Sequence, residues 1–105
     1  MDYSENVKAI KTYIDLHLEE ELSAEKLAAK EGYSVFHFCR IFKEYTGEGL
    51  MSYVREKRLE AAKKEIEEGN STSAVAEKYG FETASGFSRA YKRKFGECPA
   101  RKEKT

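Results

Sequence analysis

Leu27-Ala28-Ala29-Lys30-Glu31-Gly32-Tyr33 and Val75-Ala76-Glu77-Lys78-Tyr79-Gly80-Phe81 are two versions of one pattern, set 48 residues apart. Each has an aliphatic residue, an alanine, three further residues, a glycine and an aromatic. The match continues downstream. Phe38-x-Arg40-x-Phe42-Lys43 answers to Phe87-x-Arg89-x-Tyr91-Lys92, and Gly47 to Gly96, now 49 residues apart. One residue is therefore inserted in the second turn or early in the helix after it. The spacing is what two crossing helices need. A small alanine four residues before the turn lets the helices approach, the glycine takes the sharp turn, and an aromatic six or seven residues later fills the corner. A helical hairpin repeated for packing alone would show the same core. It would not repeat an Arg and a Lys at matching places.

Working outward, Val7, Ile10, Ile14, Leu18 and Leu22 step by three and four, which predicts a first amphipathic helix of about four turns. Glu19-Glu20-Glu21 at its end oppose the helix dipole, so packing is expected to tie that end. Ser23 is placed to cap a second helix that stops at Gly32. Ser34 is placed to cap a third, carrying Phe38, Ile41, Phe42 and Tyr45 and ending near Gly47. A long fourth helix follows over about 50–68, with Leu50, Tyr53, Val54, Leu59, Ala62 and Ile66 on its apolar positions. Ser71-Thr72-Ser73 opens a short fifth helix closed by Gly80. Thr83 caps a sixth that runs to about Phe95, and Cys98-Pro99 is placed to start one last turn. No segment alternates apolar and polar residues as a strand does. The fold class is all-α: two helix-turn-helix lobes joined by a long linker helix, with six to seven helices.

Composition narrows the function. At 105 residues, the chain has the length of one domain. No 18-residue apolar stretch is present, so no transmembrane helix is expected, and the acidic start does not read as a secretory signal. Two cysteines, Cys39 and Cys98, and two histidines, His17 and His37, are too few for a disulfide framework or an ordinary zinc site, so a reduced cytoplasmic protein without cofactor or metal is expected. Net charge is zero, which by itself speaks against a nucleic-acid partner. The distribution does not: residues 1–31 carry a balance of −4, residues 32–84 of −1, and residues 85–105 of +5. So few histidines offer no Ser/His/Asp or Cys/His arrangement, no glycine-rich phosphate loop occurs, and the chain does not read as an enzyme.

Gly32-Tyr33-Ser34, Phe38-x-Arg40-x-Phe42-Lys43, Gly47, Tyr53, Arg58-Leu59 and Ala62 resemble the first half of an AraC/XylS-type DNA-binding domain. Ala76, Gly80-Phe81, Phe87-Ser88-Arg89-x-Tyr91-Lys92 and Phe95-Gly96-x-Cys98-Pro99 resemble the signature of its second half. The resemblance runs from about Asn6 to Pro99. It implies a bacterial transcription regulator of seven helices, in which two helix-turn-helix lobes bind DNA. It places the domain over 1–105, with lobe one near 6–47, the linker near 50–68 and lobe two near 70–99. Cys98 stands where the family has a serine. Ala100-Arg101-Lys102-Glu103 stands where an aromatic and an arginine normally follow the proline, which puts the seventh helix in doubt. Double-stranded DNA and RNA polymerase are the implied partners. A sensing domain, if the natural chain has one, is expected beyond Thr105.

The second helix of a helix-turn-helix presents its first turns to the major groove. In lobe one this selects Ser34, Val35, Phe36, Cys39, Arg40 and Lys43. Arg40 suits a bidentate pair to guanine O6 and N7, with a phosphate contact as the alternative. Phe36 suits a thymine methyl, with a place in the core as the alternative. Cys39 reads as a contact or packing residue rather than a redox switch, and His37 as facing backbone or a neighbouring helix rather than a metal. In lobe two the matching set is Thr83, Ala84, Ser85, Gly86 and Arg89, with Lys92 and Arg93 beyond. Ala84 and Gly86 have little to offer a base edge, so this lobe is expected to contact phosphate and read shape. Lys94 extends the basic run, with only Glu97 expected nearby. The competing reading is an all-helical protein-interaction module that does not bind DNA.

Overall fold

The computed structural model describes Asp2–Pro99 and contains six helices there: α1 Ser4–Leu16, α2 Ala24–Lys30, α3 Val35–Thr46, α4 Leu50–Glu67, α5 Thr72–Lys78 and α6 Ala84–Phe95. The all-α reading holds. The last turn expected after Cys98-Pro99, and with it a seventh helix, would lie outside the described residues.

Four of the six helices begin on a hydroxyl. The backbone N–H groups of Lys26, His37, Ala74 and Gly86 donate to the side-chain oxygens of Ser23, Ser34, Ser71 and Thr83. Each cap satisfies one of the orphan donors of a first turn. The caps also locate the inserted residue of the repeat. Tyr33 and Phe81 still match at 48, whereas Ser34 and Thr83 match at 49. The insertion is Glu82, in the turn and ahead of the cap, so α3 and α6 keep the same internal register.

The turns are built alike. Gly32 and Gly80 both sit at φ 81°. In one turn the Gly32 N–H donates to the Ala29 carbonyl and the Tyr33 N–H to the Ala28 carbonyl; in the other Gly80 and Phe81 donate to Glu77 and Ala76. This paired ending needs a left-handed residue, which glycine supplies at no steric cost.

The chain divides into two units, residues 1–55 and 56–105. The first buries Val7, Ile10 and Ile14 of α1, Leu22, Leu27 and Ala28, Phe38, Ile41 and Phe42 of α3, and Leu50, Tyr53 and Val54 from the start of α4. The second buries Leu59, Ala62 and Ile66 from the rest of α4, Val75, Ala76 and Tyr79, and Phe87 and Tyr91 of α6. Each large side chain so buried is worth about 1.5–3 kcal/mol. The uninterrupted α4 thus supplies core residues to both units.

Two expectations need correction. α1 ends at Leu16, not near Leu22. Its last turn carries no basic residue and is followed by three glutamates, which the dipole disfavours. The chain leaves the helix at His17, and Leu22 reaches the core from a non-helical segment. Tyr45 is not a core residue of α3. It is 43% exposed and meets the chain's N-terminal residues instead.

Candidate nucleic-acid interface

α3 turns Phe38, Ile41 and Phe42 inward, which commits Phe36, Arg40 and Lys43 to the outer side. Phe36 is 85% exposed, so the core alternative for it fails. Phe36, Arg40 and Lys43 stand at i, i+4 and i+7, one stripe along the helix. In α6, Phe87 and Tyr91 are buried, and Ser85, Arg89 and Lys92 form the same exposed stripe 49 residues later. Ser34, Thr83, Ala84 and Arg93 are exposed as well, at the ends of the same helices.

Three of the sequence-selected residues sit differently. Val35 and Cys39 are half-buried and pack against the lobe-one core, so each offers only part of its surface outward. Gly86 is half-buried beside its cap, with Thr83 Oγ1 3.0 Å from where a Cβ would be. Lys94 has neighbours other than Glu97. Its ammonium donates to Glu56 at 2.5 Å and lies 3.5 Å from Glu60, both on α4. These carboxylates raise its pKa, the Glu56 hydrogen bond most. Sequence distance hid this pairing; α4 brings the two glutamates to α6.

The basic side chains are well placed electrostatically. Lys43 lies in the last turn of α3, and Lys92 and Arg93 in the last turn of α6, where the helix dipole favours cations. Among the described residues, neither histidine stands in a metal-like cluster. His17 lies 2.6 Å from Glu20 and stacks on Tyr13, while His37 meets the rings of Tyr3 and Tyr33 edge-on.

Beneath each stripe an aromatic ladder fixes the helix. Tyr33, Phe38, Phe42 and Tyr53 follow one another at 5.5–6.5 Å in lobe one. Phe81, Phe87, Tyr91 and Phe95 do so at 4.7–5.7 Å in lobe two. Stacked, edge-to-face and tilted pairs at these distances add to area burial. Lobe two is further tied by Glu65 of α4, whose carboxylate accepts from the Tyr79 hydroxyl and from Lys78 at 3.0 Å. Those partners, Tyr79 first, hold its pKa below the usual carboxylate value.

One difference between the lobes went unread in the sequence. Ala84 stands where lobe one has Val35. Around it, between the first turns of α5 and α6, lies an open groove of about 380 Å³ lined by Ser71, Thr72, Ser73, Ala76, Ala84 and Phe87. The Val35–Ala84 mismatch was visible in the repeat and is the signal that could have found it.

A helix-turn-helix domain family matches residues 27–104. Multiple antibiotic resistance protein MarA of Escherichia coli is 34% identical over 94 residues, covering 89% of this chain and 74% of that one. The Right origin-binding protein of the same organism is 32% identical over 101 residues, and the chain spans only 35% of its length. A probable AraC family transcriptional regulator from Rhodopseudomonas palustris superposes with a TM-score of 0.84 at 26% identity, over 91% of this chain and 92% of that one. The DNA-binding domain of AdpA, a global transcriptional factor solved in complex with a target DNA, superposes with a TM-score of 0.82 at 25% identity, over 90% and 86%. The chain belongs to the AraC/XylS family of helix-turn-helix DNA-binding domains. That is a family of regulators, not of catalysts.

Proposed function

We propose that the chain binds double-stranded DNA sequence-specifically in transcription regulation, with α3 and α6 each entering one of two successive major grooves. The observation that carries this is the exposed stripe repeated at a fixed offset: Phe36, Arg40 and Lys43 on α3, and Ser85, Arg89 and Lys92 on α6. A packing repeat would conserve only the buried side. In this reading Arg40 pairs with guanine, Phe36 meets a thymine methyl, and Val35 and Cys39 border them. Lys43, Lys92 and Arg93 contact phosphate. Ser34 and Thr83, at the helix starts, hold the backbone in register, and Ala84, Ser85, Gly86 and Arg89 follow groove shape more than base identity.

The two copies run head to tail in one chain, so the site is direct and asymmetric rather than palindromic. Lobe one covers about 6–47 and lobe two about 70–99, with the helix near 50–68 between them. RNA polymerase is the proposed protein partner. Footprinting at low salt, with oligomeric state measured in parallel, tests the reading. A monomer protecting roughly 20 base pairs over two successive grooves is expected. Protection of one groove, or only by a symmetric dimer, would overturn the two-groove arrangement. No DNA binding even at low salt would favour the protein-interaction module that zero net charge suits.

A further inference from the structure

Asp2 and Tyr3 precede every helix and belong to no periodic pattern, yet they reach both ends of α3. The Tyr3 ring meets Tyr33, at the turn before α3, edge-on at 5.7 Å. It meets His37 in the first turn of α3 at 5.9 Å, and Tyr45 in the last turn at 6.2 Å. Polar contacts fasten the same place. The Tyr3 backbone N–H donates to the Tyr45 hydroxyl at 2.8 Å, and that hydroxyl donates to Asp2 at 3.3 Å. Asp2 also accepts from the Ser4 N–H at 3.0 Å, and this bond, foremost among its contacts, holds the carboxyl below its usual pKa.

We propose that the Asp2–Tyr3 segment is a positioning strap for the reading helix, fixing the rotation and tilt of α3 and thereby the direction in which Arg40 and Phe36 meet base edges. The proposal rests on the DNA-reading role given to α3 above. His37 and Tyr45 lie outside the Phe36–Arg40–Lys43 stripe, so the strap grips α3 without covering it. The cores of α1, α2 and α3 hold the helix in the lobe. The strap touches its first and last turns through one side chain. Base readout needs side chains placed to a fraction of an ångström, whereas phosphate attraction tolerates a small rotation. Loosening the strap should therefore cost specificity and leave general affinity.

The test uses a duplex enriched from random sequence by the unaltered full chain, and compares it with a random duplex as salt is varied. Circular dichroism fixes a temperature at which every variant is fully folded. Tyr3→Ala is expected to lower the preference for the enriched duplex about tenfold, the worth of one base contact, with the salt slope unchanged. Tyr3→Phe keeps the ring contacts and is expected to keep the preference. Tyr45→Phe removes the hydroxyl that holds both Asp2 and the Tyr3 backbone, and should fall between them. A Tyr3→Ala protein that melts earlier yet keeps its preference would make the strap merely structural, and an equal loss in Tyr3→Phe would also overturn the proposal. Failure of the unaltered chain to enrich any sequence would instead remove the DNA-reading role on which it rests.

Discussion

Arg40 and Arg89 hold equivalent places on α3 and α6, but their surroundings differ. Beside Arg40 stands an exposed phenylalanine, and beside Arg89 stand Ala84, Ser85 and Gly86. In the proposed reading the first set recognises a base pair, whereas Ala84 and Gly86 offer little to a base edge. Arg40→Ala is expected to cost about 1–3 kcal/mol on a preferred site and to relax choice at one base pair. Lys92→Ala should weaken all duplexes alike. Parallel titrations on preferred and random DNA separate the two, and an equal loss on both would demote Arg40 to a phosphate contact. The turn glycines make a stability prediction at the same scale. Gly32 sits at φ 81° with open space around it, so Gly32→Ala meets backbone strain alone. It should lower unfolding free energy by about 1–2 kcal/mol in urea titration, and a neutral result would mean the turn relaxes.

At the scale of elements, α4 does more than connect. Its first turns fill the lobe-one core, its later turns the lobe-two core, and its polar side governs charges on its neighbours. Glu56 and Glu60 hold Lys94 of α6. Replacing both with glutamine should free that cation for phosphate and steepen the salt dependence of DNA binding by about one contact, roughly 0.9 in the log–log slope. An unchanged slope would show that Lys94 points away from DNA even when released. Glu65 gives a pH prediction. Its folded-state pKa lies below the ordinary value, so its contribution to stability is full above the usual carboxylate range and is lost as pH falls through the depressed value. Urea unfolding between about pH 6 and about pH 3 should show this loss. Glu65→Gln should shallow it, and identical profiles would argue that Tyr79 and Lys78 stabilise the neutral form equally.

Across the whole molecule, zero net charge conceals a strong asymmetry, and binding should follow local cations rather than the sum. If Lys43, Lys92 and Arg93 each neutralise a phosphate, affinity for random duplex should fall about 40-fold between roughly 50 and 200 mM salt. A flat salt response would mean that the acidic first segment cancels the basic end, and would return the chain to the protein-interaction reading.

The repeat, the caps and the glycine turns were legible in the sequence because each is a local rule. A hydroxyl before a helix, a glycine after one and an apolar step of three or four act within a few residues of chain. The same locality selected an outward set on α3 that includes Phe36, Arg40 and Lys43, since burying one side of a helix decides the other. Three features required the tertiary structure. Leu22 continued the helical spacing of α1, but the glutamates before it end the helix, and only packing shows that it still reaches the core. Lys94 looked free because Glu56 and Glu60 lie almost forty residues away, a distance that the fold closes. Tyr3 carried no pattern at all. Its place against Tyr33, His37 and Tyr45 exists only once α1 and α3 have packed, because ring contacts between segments some thirty to forty residues apart follow from the shape of the core and not from any spacing along the chain.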